Sequence, residues 1–184
     1  NATFANLNAE KTGALYFKAT TGALTFGCST LVTVNHAAAT QVAYTTQPAA
    51  SITAGADLLP VLKIQDTFGN TVTTGADAVQ NVVITVASGP GALNGTATLA
   101  AVTGVATWTT TESLDLRVVG GHTLQAAITS PADTVVSNTV SVVAGAPNYL
   151  VISGIATTEV NSCDAFTVSR YDVYNNLSDV ASAT

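Results

Sequence analysis

The chain predicts an all-β protein made of β-sandwich units in tandem, one complete unit flanked by two partial ones. Three observations predict it. Residues 58–72, LLPVLKIQDTFGNTV, alternate apolar Leu62 and Ile64 with Lys63 and Gln65 and then break at Asp66-Thr-Phe-Gly-Asn70. Such alternation marks a half-buried strand, and the break marks a tight turn. The same strand and turn return at residues 166–177, FTVSRYDVYNNL, with Asp172 in the place of Asp66 and Asn175-Asn176 in the place of Gly69-Asn70. Gly69 and Asn70 supply the positive-φ positions of the first turn, and Asn is the next-best residue after Gly for that conformation. Composition agrees. Only 9% of residues are charged, against about 25% in a typical soluble domain. The 47% hydrophobic fraction leans on Ala and Val, and Thr, Ser and Gly supply most of the polarity. Thr and Val favour pleated surfaces, and no amphipathic helical period is present.

Residues 1–37 read as the closing part of a unit. Leu15, Phe17 and Ala19 alternate as one strand, residues 21–27 turn, and residues 28–34 form another strand. Val32 matches Val140, 108 residues later. Residues 38–145 form the complete unit, with strands expected at 42–47, 58–66, 81–87, 97–100 with 105–109, 122–129 and 136–143. Turn clusters separate them at Thr74-Gly-Ala-Asp77, Ser88-Gly-Pro-Gly91, Gly120-Gly121 and Ser130-Pro-Ala-Asp133. Seven or so short strands in this length fit an immunoglobulin-like β-sandwich. Residues 146–184 open a third unit, in which 149–152 repeat 42–45. Asp66 and Asp172 are 106 residues apart, so both comparisons give a period near 107. The core of the complete unit is expected to contain Leu62, Ile64, Val83, Trp108, Leu124, Ala126 and Val140.

The runs VAYTTQP, PVLKIQDTFGNTV, GVATW and SNTVSVVAGAP resemble the bacterial immunoglobulin-like tandem repeats of large surface proteins, including invasin- and intimin-type adhesins. The resemblance covers the middle unit and both partial ones. It implies a secreted, rod-like, non-catalytic scaffold at the cell surface, and it carries over no ligand or catalytic residue.

Charge and motifs exclude several classes. Net charge is −6 with five Lys and Arg, so the basic stripe of a nucleic-acid binder is missing. No apolar run approaches the roughly 18–20 residues that cross a bilayer. The chain begins at Asn1 without Met or a signal-peptide pattern, so a mature or trimmed product is expected. Sequons at Asn1, Asn94 and Asn176 read as chance in a Thr-rich chain. Trp108 is expected as a core aromatic, and Tyr44 and Tyr149 as wedges beside the connectors. His36 and His122 have no neighbour at metal-ligand spacing. Asp57, Asp66, Asp77 and Asp133 read as turn residues without a calcium-loop cluster. Lys63 is placed on the solvent face. No nucleophile motif or opposed carboxylate pair appears, so no enzyme and no cofactor are expected.

Cys28 and Cys163 fall one in each partial unit. A sandwich about 35–40 Å long would separate them within one extended chain, whereas a disulfide needs Cα atoms within about 7 Å. An interchain bond, a partner outside this stretch and two free thiols all stay open. The first expectation is therefore a structural subunit of an extracellular fibre or filament, with chains associating head to tail through incomplete ends. The second is a stalk segment of a large adhesin. The two partial units hold 37 and 39 residues, and neither contains a counterpart of residues 79–104.

Overall fold

The computed structural model describes residues 3–22, 24–154, 157, 159–161, 163 and 165–178. Four short strands come first: Gly13–Leu15 (β1), Lys18–Ala19 (β2), Gly27–Cys28 (β3) and Val32–Val34 (β4). The central region holds Gln41–Thr46 (β5), Ser51–Thr53 (β6), Val61–Gln65 (β7), Asn81–Ser88 (β8), Leu93–Asn94 (β9) and Thr98–Ala100 (β10). It continues with Val105–Thr107 (β11), Asp115–Leu116 (β12), Gly120–Thr129 (β13), Ala132–Val136 (β14) and Val140–Val143 (β15). Tyr149–Ser153 (β16) and Thr167–Tyr171 (β17) follow. Among the described residues the one helical element is a 3-10 turn at Ala76–Val79. The chain is all-β.

Two sheets make the central sandwich. The smaller runs β11-β7-β5, and the larger runs β10-β8-β13-β15-β6 with β14 also paired to β13. Pairing is antiparallel throughout except where β6 joins β15 in parallel. The chain thus leaves one sheet after β5 and enters the other at β6. The inner faces share one core, with Val42, Leu62, Ile64 and Ala106 from one side and Val82, Ile84, Leu124, Ala126, Val140 and Val142 from the other. Trp108 is buried just past β11, and its indole N–H donates to Thr96 O at 2.8 Å. That bond lets a large ring with a polar edge sit in an apolar core.

The sequence expectation fails at Val83, which is only half buried while Val82 and Ile84 face the core. An unbroken Val-Val-Ile run carries no alternation, so nothing in it fixes which residue points inward, and a one-residue slip exchanges the faces. The expected strand 136–143 is two strands, because the chain breaks pairing at Ser137, whose Oγ accepts from Leu124 N. Likewise, 15–19 and 28–34 each divide between two strands. In β13 the equivalent stretch is continuous because β8 pairs along its other edge. Asp133 lies within β14 rather than in a turn, and its carboxylate accepts Val42 N, tying β5 to the opposite sheet. Tyr44 packs on the central core instead of wedging a neighbour. Lys63 is half buried, not fully solvated. Short β6, β9 and β12 had no signal in the alternation.

Ile84→Ala should cost about 2–5 kcal/mol as a buried large-to-small change, whereas Val83→Ala should cost less than about 1 kcal/mol. Urea unfolding of both variants checks the phase of β8. Equal losses would place both side chains in the core.

Candidate functional site

The recurring turn is where the chain does something beyond folding. Asp66 is fully buried at the end of β7, and its carboxylate accepts four hydrogen bonds, each of 2.9 Å. Oδ1 takes Phe68 N and Asn70 N; Oδ2 takes Asn70 Nδ2 and Ala37 N. Gly69 closes the turn with φ of 78° and donates its N–H to Asp66 O. Asn70 then points away from its own unit. Its Nδ2 also donates to Glu10 O at 2.8 Å, and its Oδ1 accepts Thr12 N at 3.1 Å. A side-chain amide that bonds the carbonyl of one residue and the N–H two residues on imitates a neighbouring strand.

The second turn repeats this arrangement bond for bond. Asp172 Oδ1 accepts Tyr174 N and Asn176 N, and Oδ2 accepts Asn176 Nδ2 and Gly145 N, at 2.8–2.9 Å. Asn175 has φ of 68°. Asn176 Nδ2 donates to Arg117 O at 2.7 Å, and Oδ1 accepts Val119 N at 3.1 Å. Tyr174 lies against Gly55, where an added Cβ would come within 2.3 Å of the phenol oxygen, and the Arg117 guanidinium stacks over its ring. Each turn therefore ties together three things: its own loop, the backbone N–H of Ala37 or Gly145 some 27–29 residues earlier, and a stretch of backbone nearly 60 residues earlier.

One expectation is corrected here. Asn70 and Asn176 are not positive-φ residues; only Gly69 and Asn175 have that role. Both outer Asn residues are buried and act through their amides. The signal was in the sequence as Asp and Asn four residues apart, twice. Of the sequon asparagines, Asn176 has its amide engaged in the clamp, and Asn1 lies outside the described residues.

Burial pushes the Asp66 carboxyl upward, but the Asn70 amide and the backbone N–H groups of Ala37, Asn70 and Phe68 outweigh it and hold the pKa down at about 2. For Asp172, burial is again overcome, here by bonds from Asn176, Gly145 and Tyr174, and the value is lowered. Both carboxylates stay ionised near neutrality.

The flanking strands copy the central sandwich in register. Gly13↔Val34 through Leu15↔Val32 matches Gly120↔Val142 through His122↔Val140. Lys18↔Cys28 matches Gln125↔Val136. Ser29 Oγ accepts Phe17 N, as Ser137 Oγ accepts Leu124 N. At the other end, Tyr149↔Tyr171 through Ile152↔Val168 matches Gln41↔Gln65 through Tyr44↔Leu62, one residue off the expected correspondence of 149–152 with 42–45, and the bulge between Tyr44 and Thr46 is not copied. Burial is what differs. Phe4 and Phe17 are 73% and 42% exposed, and Leu150 and Val168 are 61% and 55% exposed. The register counterparts of the last three, Leu124, Val42 and Leu62, are buried. Phe4, Leu7, Phe17 and Ala19 line a hollow of about 600 Å³.

The remaining expected residues do not assemble. Cys28 and Cys163 are exposed free thiols. His36 contacts Thr74 Oγ1, while His122 is buried with its ring nitrogens 2.7–3.0 Å from Pro90 O and Gly120 O. Tyr149 donates to Asn175 Oδ1 and stacks on Tyr171. Among the described residues, no group of three or more His, Cys, Asp or Glu side chains could hold a metal, and no helix is long and apolar enough to cross a membrane. No family model matches the chain, and no curated protein matches it in sequence.

Asp66→Ala strands several buried donors at once and should cost about 3 kcal/mol or more. Because the folded pKa lies below the unfolded value of about 3.9, this contribution is present above pH 4 and is lost as pH falls towards 2. The gap in urea midpoint between wild type and variant should therefore narrow across that window. A gap that is constant with pH would remove the ionised carboxylate from the account.

Proposed function

We propose that this protein is a structural subunit of an extracellular fibre or cell-surface filament. In this reading it is built of tandem immunoglobulin-like sandwiches and associates head to tail. The sheet switch after β5 and the parallel β6–β15 pairing support the immunoglobulin-like assignment of the central unit. The single observation that carries the function is the complementarity of the two open faces. One presents the closing strands of a sandwich with an uncovered half-core, and the other presents the opening strands with the matching half. A contact between unlike faces need not close and so propagates.

Magnitudes set the strength of such a joint. Burying one large apolar side chain contributes about 1.5–3 kcal/mol, while association costs about 4–15 kcal/mol. Four such side chains roughly balance that cost, so assembly should be concentration-dependent. The repeated clamp favours a second reading, a stalk segment within a longer adhesin-type array, since a clamp at each joint suits any linear series of units.

Phe17→Asp and Leu150→Asp each spoil one face and leave the other intact. Sedimentation should show wild type associating with concentration, either variant alone remaining monomeric, and an equimolar mixture forming dimers and nothing larger. A wild type that stays monomeric when concentrated would overturn the fibre reading and leave the stalk.

A further inference from the structure

One edge of the first flanking strands has a template inside the central sandwich. There β13 lies between two neighbours. On one side Leu124 N–H donates to Ser137 Oγ at 2.9 Å and its carbonyl accepts Ser137 N–H at 2.8 Å. Along the other edge β8 pairs with β13, placing Val86 opposite Leu124, Thr85 opposite Gln125 and Ile84 opposite Ala126. The first flanking strands copy only half of this. Phe17 N–H donates to Ser29 Oγ at 3.0 Å, its carbonyl accepts Ser29 N–H at 2.9 Å, and Lys18 pairs with Cys28. Successive residues of a strand turn their peptide groups to opposite edges, so those of Lys18 point away from β3. Among the described residues β2 pairs with β3 alone. Residues 16–20 are all exposed, and residues 17–20 border the hollow of about 600 Å³. Head-to-tail contact does not fill this edge, because neither partial unit has a counterpart of residues 79–104.

We propose that β2 binds an extended peptide strand of another protein, antiparallel, in the place that β8 takes beside β13. An edge of unpaired peptide groups is a template for such strand addition. The equivalence of β2 with β13 fixes the register. The peptide residue in the place of Thr85 lies opposite Lys18, and those in the places of Ile84 and Val86 lie opposite Ala19 and Phe17. Ile84 is buried in the central sandwich and Val86 packs on its core, so the peptide is apolar at these alternate positions and covers the face where Phe17 is exposed. The position between them sets its charge. Gln125 is neutral there, whereas Lys18 brings an ammonium group, which lies 4.3 Å from the centroid of the Phe26 ring. Opposite charges directly across an antiparallel pair attract, and like charges repel. The partner strand therefore alternates apolar residues with polar ones and carries Asp or Glu opposite Lys18.

The test is fluorescence anisotropy of labelled octapeptides with the 184-residue chain. The protein is kept dilute enough to be monomeric on sedimentation, so the result does not depend on copies associating. One peptide has the sequence of residues 81–88, NVVITVAS, and two others carry Thr85→Glu or Thr85→Lys. The expected result is saturable binding, up to about fivefold tighter with Glu and up to about fivefold weaker with Lys than with Thr. The chain variant Lys18→Glu should reverse that order, and Ile84→Asp in the peptide should abolish binding. Lys18 is exposed, so its replacement leaves the fold intact. No saturable binding by any of the three peptides, or an order that Lys18→Glu leaves unchanged, overturns the proposal and leaves the fibre reading standing.

Discussion

A carboxylate removed from water must find donors for its oxygens, and Asp66 and Asp172 each find four. The rest of the architecture hangs on this constraint. The turn has its shape because three of those donors come from the four residues after the Asp. The connector has its path because Ala37 or Gly145 supplies the fourth. With the turn fixed, the outer Asn is held in one orientation and its amide reaches the preceding backbone. Electrostatics inside one loop thereby sets the relation between neighbouring stretches of chain.

The central sandwich and the flanking strands share backbone pairing but not burial, and this separates two contributions that usually occur together. Register in β1–β4 and β16–β17 is kept by local bonds, such as the one from Phe17 N to Ser29 Oγ. Apolar coverage needs a second sheet, which among the described residues only the central region has. Strand pairing alone therefore leaves Phe4, Leu150 and Val168 facing solvent.

The β class and most of the core were legible because they rest on alternation and turn chemistry, both local. Leu62 and Ile64 announced themselves against Lys63 and Gln65. Val82 and Ile84 did not, since their run is apolar throughout. The clamp was half legible. Its Asp and its positive-φ position were visible, but Asn70 read as a turn residue because an amide that bonds backbone nearly 60 residues away leaves no local trace. His122 was opaque for a related reason, since one ring nitrogen meets the Pro90 carbonyl, distant in sequence, while the other meets nearby Gly120. Tyr44 looked like a surface aromatic near a connector, and only the opposite sheet makes it a core neighbour.

Beyond their own turns, Asn70 and Asn176 bond main-chain atoms only, at Glu10 and Thr12 in one case and at Arg117 and Val119 in the other. The two recognised stretches, Glu-Lys-Thr and Arg-Val-Val, differ in charge, size and polarity, yet receive identical bonds. Those bonds themselves set no requirement on the side chains the two stretches carry. Side-chain changes within residues 10–12 or 117–119 therefore leave the asparagine bonds chemically unaltered, although a change at Arg117 also removes the guanidinium that lies over the Tyr174 ring.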